Sequence, residues 1–279
     1  MSKNRTVTFW GASGMLLFAL GTMLAAFIIT YYFYYRFEQD VCDRYNDKQS
    51  AQARGIASEL SHIINLIQKD LESLAVDEWS TTDPTAKVTQ LHNFRLRFRD
   101  YVKNVGIIDA NGGIIAPYQI EKLALAPEIT KLTALNRATL SQLYLDTTTQ
   151  EHLLSLVVPI KTRTAAGQFL VCNLNLTRWI KAYLTKEIPF SASNTWIVSQ
   201  GGQIIAHNNP QLVGKSLDKL ITTPNVSITT VNDFLHTALA GKGGQQRLEL
   251  FGEGEQLIAY VPISLPGQQW LILSHIAYE

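Results

Sequence analysis

The stretch Val105-Gly106-Ile107-Ile108-Asp109-Ala110-Asn111-Gly112-Gly113-Ile114-Ile115 reads as two short strands around a tight turn. Branched apolar residues crowd both arms, and Asn-Gly supplies the positive φ that such a hairpin needs. The scheme returns further along, where 195–199 and 203–207 flank Gln200-Gly201-Gly202. Each hairpin opens a run of further strand candidates. After the first come 140–145, 152–160 and 168–174, rich in Leu, Val and aromatics, with polar turns at 146–150 and 162–167. A short helix over 176–185 and a joint at 188–191 close this unit. After the second hairpin come a loop holding Asn208, Asn209, Pro210 and Gly214, a helix over 231–239, and strands at 245–250, 256–263 and 270–276. Gly252-Glu253-Gly254 and Leu265-Pro266-Gly267 join those last strands. Connections this short make the sheets antiparallel.

Upstream of the first hairpin the period changes from strand to helix. Ile56, Leu60, Ile63, Ile67, Leu71 and Leu74 recur at steps of four and three, so 41–75 reads as one long helix with Gly55 its only weak point. Asp83-Pro84 is a helix start, Asp as N-cap and Pro in the first turn. Val88, Leu91, Phe94, Phe98, Tyr101 and Val105 are expected on the buried face of this second helix, and Arg95, Arg97, Arg99 and Lys103 within it read as a solvated face, with a ligand or lipid contact the lesser alternative.

Further upstream, residues 9–35 contain no charge. About 20 apolar residues cross a hydrocarbon core of ~30 Å, and only a helix satisfies its amides there. Trp10 and the Tyr31-Tyr32-Phe33-Tyr34-Tyr35 cluster suit the two interfaces. Lys3 and Arg5 precede the span without acidic neighbours, which places the N-terminus in the cytoplasm and the body outside. A cleaved signal peptide has a shorter apolar region ending at small residues, whereas this one runs into bulky tyrosines. Gly21 and Ala25 form a small-xxx-small pair, a weak packing signal.

The whole chain of 279 residues is 46% hydrophobic and 17% charged, too apolar for disorder. Lys+Arg number 24 and Asp+Glu 23, and no long basic run occurs, so nucleic acid is not an expected partner. Six scattered His and two Cys, Cys42 and Cys172, make neither a metal-ligand spacing nor a disulfide framework. Gly214-Lys215-Ser216 imitates the end of a phosphate loop but follows no strand-to-helix junction. Asp109 and Asp146 sit at strand ends, where Asp caps turns. Cys42 could bridge two protomers outside the cytoplasm, while Cys172 reads as buried packing. No nucleophile, base or metal set is visible, so the chain is not read as an enzyme and no cofactor is implied.

Taken in order, several segments resemble the double Cache sensor domain of bacterial transmembrane receptors. They are Asp70-Leu71-Glu72-Ser73-Leu74-Ala75, the Val105–Asp109 strand with Asn111-Gly112 and Ile114-Ile115, and Trp196-Ile197-Val198 with Gly201-Gly202 and Ile204-Ile205-Ala206-His207. Val213-Gly214-Lys215-Ser216 and the closing Tyr260-Val261-Pro262-Ile263 and Trp270-Leu271-Ile272-Leu273 complete the set. The resemblance implies an α+β fold: a transmembrane helix, a long stalk helix, then two stacked PAS-like Cache modules with antiparallel sheets. On that reading 1–8 is a cytoplasmic tail, 9–35 the span, 36–80 the stalk, 81–187 the membrane-distal module and 188–279 the membrane-proximal one.

It further implies a small-molecule sensor in the bacterial plasma membrane with its body in the periplasm. Such a sensor is the input of a histidine kinase, chemoreceptor, or diguanylate cyclase or phosphodiesterase, and the stalk is a candidate homodimer contact. The alternative is an anchored module that docks another envelope protein. The family's amino-acid motif joins Arg-x-Trp-Tyr, Tyr-x-Asp and a later Asp. Here Tyr144-Leu145-Asp146 matches the second element and Asn173 stands at the later Asp. No Arg-x-Trp-Tyr occurs, Arg137 being the only Arg between Ala116 and Leu143. The ligand-binding candidates are thus Tyr144, Asp146, Asn173 and Arg137, with an amino-acid ligand put in doubt by the missing carboxylate.

Overall fold

The computed structural model describes residues 5–78, 83–120, 122–161, 167–175, 195–207, 209–217, 228–241, 243–248 and 256–277. The helix expected at 176–185, the joint at 188–191 and the turn at 252–254 lie outside these residues.

Helix α1 (Arg5–Ser73) is continuous over 69 residues, about 100 Å at 1.5 Å per residue. Residues Met1–Lys48 form one unit and Gln49–Glu279 a second. In the first unit the helix is long and apolar enough to cross a membrane, and Phe18, Met23, Phe27, Tyr31 and Phe33 are all exposed. In the second unit Ala53, Ile56, Ala57, Leu60, Ile63, Ile64, Ile67 and Leu71 are buried, the helical stripe expected from the sequence as far as Leu71 with Ala53, Ala57 and Ile64 added, while Leu74, past the end of the α-helix, is half-buried. The helix widens into a π-turn at Leu74–Glu78.

Helix α2 (Pro84–Arg97) begins as expected, Asp83 accepting a 2.9 Å hydrogen bond from the Thr85 amide. It ends earlier than the apolar pattern suggested. The Phe98 amide closes on Phe94 O in the last turn, the Tyr101 and Val102 amides both turn back on Phe98 O, and the branched run after Tyr101 becomes strand β1 (Val102–Asp109). Tyr101 and Val105 are therefore not helical.

Strands β1, β2 (Ile114–Ile120), β3 (Thr139–Leu140), β4 (Tyr144–Asp146), β5 (Glu151–Pro159) and β6 (Gln168–Leu174) form the first sheet, with order β2-β1-β6-β5-β3 and β4 also on β5. The segment expected as one strand at 140–145 splits. The Ser155 amide bonds the Ser141 hydroxyl at 2.8 Å rather than a ladder carbonyl, which breaks the pairing there. Strands β7 (Thr195–Ser199), β8 (Ile204–Ala206), β9 (Gly244–Leu248), β10 (Gln256–Leu265) and β11 (Gln268–Ala277) form the second sheet, order β8-β7-β11-β10-β9. Every pairing in both sheets is antiparallel. In each sheet the opening hairpin occupies one edge, its first strand pairs with the last, and the middle strands follow outward.

The two opening hairpins repeat in atomic detail. Gly112 N–H donates to Asp109 O at 3.1 Å and Gly202 N–H to Ser199 O at 2.9 Å, with φ of 84° and 77° at the two glycines. These are three-residue loops with one left-handed position, which Gly occupies without steric cost. The carboxylate of Asp109 accepts from Asn111 and Gly113 amides at 2.8 Å each, so Asp109 is spent as a turn cap.

One face of the first sheet (Val105, Ile107, Leu154, Leu156, Leu170, Cys172) packs on α1, in a core that continues into Ile197, Trp270 and Ile272 of the second sheet. The opposite face carries Ile108, Val157, Phe169 and Val171, covered by Leu123 and helix α3 (Ile129–Ala134). Helix α4 (Ile228–Ala240) covers the outer face of the second sheet through Phe234, Leu235 and Ala238.

Candidate functional site

On the outer face of the first sheet the apolar side chains give way to a polar rung. Asn104, Asn173 and Ser155 are paired across β1, β6 and β5, and exposures of 1%, 0% and 0% show that all three are buried. Buried polar groups must find partners, and the segment after β2 supplies them. Ser155 Oγ donates to Asn173 Oδ1 at 2.7 Å, and Asn173 Nδ2 donates to Ala124 O at 2.6 Å. Asn104 Nδ2 donates to Lys122 O at 2.7 Å. Tyr144 completes the chain, its hydroxyl 2.9 Å from Ser155 Oγ and 3.2 Å from Ala124 O. Burial, above all, pushes the Tyr144 phenol up to about 12, so it stays a neutral donor.

Outside this rung lies a cavity of about 520 Å³, walled by Lys103, Asn104, Lys122, Tyr144 and the Asp146–Thr149 turn. Lys103 reaches it by an irregularity in the strand. Val102 pairs with Leu174 and Asn104 with Asn173, so β1 has one residue more than β6 and Lys103 is the extra one. A bulge of this kind re-aims a side chain and is common beside functional sites. Its Nζ lies 3.0 Å from Asp146 Oδ2 and 2.6 Å from Glu151 Oε2, and also bonds the Thr149 hydroxyl. Asp146 and Glu151 stand opposite each other on β4 and β5, where like charges repel. Lys103 neutralises that pair.

Asp146 accepts further from the Thr149 hydroxyl at 2.7 Å and the Thr148 amide at 2.9 Å. The Thr149 hydroxyl, followed by Lys103 and the Thr148 amide, holds this carboxyl far below the usual carboxylate range. Desolvation pulls Lys103 down, but its bonds to Glu151 and Asp146 outweigh it and leave the ammonium above its ordinary value. Lys103→Met is expected to lower stability by about 1–2 kcal/mol, because it strips a charge-assisted donor from two facing carboxylates. Chemical denaturation of parent and variant checks this. An unchanged midpoint at neutral pH would remove the structural role given to Lys103.

Of the four residues singled out in the sequence, Tyr144 and Asp146 wall the cavity. Asn173 stands behind the wall, its amide committed to Ser155 and Ala124. Arg137 is exposed beyond α3 and is not part of the wall. Sequence reasoning missed Asn104, Lys122 and Ser155, and gave Lys103 a ligand contact only as the lesser alternative. A signal existed for two of them, since Asn104 and Ser155 interrupt otherwise apolar strands. Among the described residues no group of three or more His, Cys, Asp or Glu is placed to hold a metal ion.

The fold has counterparts among known proteins. A Cache domain family model matches residues 37–279. The ligand-binding domain of the Pseudomonas aeruginosa amino acid chemoreceptor PctC, solved with GABA, is similar over 84% of this chain and 99% of its own, at 19% identity and TM-score 0.58. The ligand-binding domain of the Pseudomonas fluorescens chemoreceptor CtaA, solved with L-isoleucine, covers 85% of this chain and 92% of its own, at 18% identity and TM-score 0.57. A structure described as methyl-accepting chemotaxis protein X covers 85% and 99%, at 18% identity and TM-score 0.63. No curated protein sequence matches the chain. With two sheets of one topology on a shared long helix, and a family match running from the end of the apolar segment to residue 279, this chain belongs to the Cache domain family in its double-module form.

Proposed function

We propose that this chain is the small-molecule input region of a bacterial transmembrane receptor, of the chemoreceptor, histidine kinase, or cyclase or phosphodiesterase kind. Residues 9–35 anchor it in the plasma membrane, the N-terminus is cytoplasmic, the two modules lie in the periplasm, and α1 is the contact for a second protomer. The cavity beside Tyr144 and Asp146 carries the reading, being concave and partly apolar with a few convergent polar groups, as ligand sites are. The solved relatives with GABA and L-isoleucine support a ligand in this architecture.

The cavity also has a route to the second module. Leu140 N–H donates to Pro266 O at 2.9 Å, Gln268 Nε2 donates to Leu140 O at 2.7 Å, and Gln203 Nε2 donates to Leu143 O at 3.1 Å. Tyr144 follows directly on this clamped segment. A ligand that binds one position of β4 better than another therefore biases the module contact by its differential affinity.

Thermal denaturation of the full chain in lipid nanodiscs across a broad metabolite panel tests the proposal. At least one compound is expected to raise the melting temperature, by about 2.7 kcal/mol of stabilisation at a hundredfold excess over Kd. A silent panel together with recovery of one stoichiometric envelope partner would favour the partner-docking alternative instead.

A further inference from the structure

We propose that the distal cavity selects a small carboxylic acid that carries a hydroxyl donor and no ammonium group. This rests on the sensor reading above and narrows its ligand. Among the described residues Asp146 is the one carboxylate that lines the cavity, and its oxygens already accept from Lys103, Thr149 and Thr148. Lys103 in turn spends its three protons on Asp146, Glu151 and Thr149. The chain thus supplies its own ammonium to the acidic pair. A ligand cation entering the cavity would lose its water without gaining a carboxylate, which is costly.

Two groups of the wall remain to be met. Asn104 lines the cavity; its Nδ2 donates to Lys122 O, and its Oδ1 is buried and has no hydrogen-bond partner. An unmet acceptor costs free energy that a ligand O–H recovers. Lys122 Nζ, at the exposed rim, has only a 3.4 Å contact with the Thr148 hydroxyl and makes no ion pair among the described residues. It is placed to meet the ligand's acid group. A hydroxyl for Asn104 and a carboxylate for Lys122 together describe a hydroxy acid.

Matched pairs that exchange one hydroxyl for one ammonium test this: glycolate with glycine, lactate with alanine, malate with aspartate. Melting of the full chain in nanodiscs is recorded with each. At least one hydroxy acid is expected to raise the midpoint while its amino partner leaves it unmoved, and Asn104→Ala and Lys122→Met each weaken that response tenfold or more. In Lys103→Ala the preference reverses, and methylammonium restores part of the lost melting temperature, because an added cation fills the gap between Asp146 and Glu151. An amino member that matches or exceeds its hydroxy partner on the parent chain overturns the proposal. Silence from both series also overturns it, and leaves the sensor reading to stand or fall on the broader panel. The parent-chain comparison decides even where Lys103→Ala fails to fold.

Discussion

Trp270→Ala is expected to cost about 3–5 kcal/mol and to lower the melting of both modules together. Trp270 belongs to the second sheet by sequence and pairing, lying opposite Ser199 and Ile263. Yet its fully buried ring sits in the core that holds Ile56 and Leu60 of α1 and Leu154 and Leu156 of the first sheet. That core is continuous across the two sheets, so a cavity opened in it is felt from both sides. The indole also fixes the contact between modules. Its Nε1 donates to Gln268 Oε1 at 2.8 Å, which orients the Gln268 amide toward Leu140 O. For a body of this size the loss corresponds to a drop on the order of 10 °C. Calorimetry, with hydrogen exchange read at β5 and β6, checks it. A single lowered transition that includes β5 and β6 is the expected result. Two separated transitions, with β5 and β6 unfolding at the parent's temperature, would show that the modules do not share stability. Gln268→Ala separates the two contributions, since it keeps the ring and removes hydrogen bonds worth about 1 kcal/mol each.

That shared core marks the limit of what periodicity conveys. The helical stripe, the two hairpins and nearly every strand were legible because each is local: alternation, a Gly at a turn, an Asp before a Pro. Strand order was not, since nothing near Val105 in sequence says that its partner is Cys172. The end of α2 was misread for a related reason. Val105 fits a helical stripe and a strand equally well, and tertiary pairing decides between them.

The cavity was legible in outline through Tyr144 and Asp146, but its occupancy was not. Asp146 reads in sequence as an acid awaiting a ligand, whereas in the fold it is already held by Lys103. That contact depends on a bulge joining residues on three strands, and no spacing rule encodes it. Lys103 was instead assigned to a helix's solvated face. Arg137 was chosen for its charge and lies outside the wall, because the six-residue helix α3 and its exit turn carry it to the surface.

Acidification from pH 7 to pH 4 is expected to remove about 3 kcal/mol of stability through one side chain of the second sheet, His275. The residue lies on β11 opposite Ile258 and is 6% exposed, with its ring 6.2 Å from Trp196. Burial, and then the charge of His207, whose ring lies 4.1 Å from the same indole, depress its pKa from 6.5 to about 4. The unfolded chain therefore takes up a proton near pH 6.5 that the folded chain refuses until about pH 4. Stability is complete above the upper value and drains as pH falls through the window, at 1.36 kcal/mol per pH step. His152 loses its charge preference in the same direction through burial, so the parent's slope alone does not isolate His275. The difference from His275→Phe does, because Phe keeps an aromatic ring beside Trp196 and cannot be protonated. Asp146 acts at lower pH: its contribution is present above about 4 and fades below it. Melting curves of parent and His275→Phe are expected to converge as pH falls from 7 to 4, the parent losing roughly 6–12 °C relative to the variant. Parallel curves over that interval would mean that folded His275 takes up its proton as readily as the unfolded chain does, and the burial-depressed imidazole proposed for the second sheet would have to be abandoned.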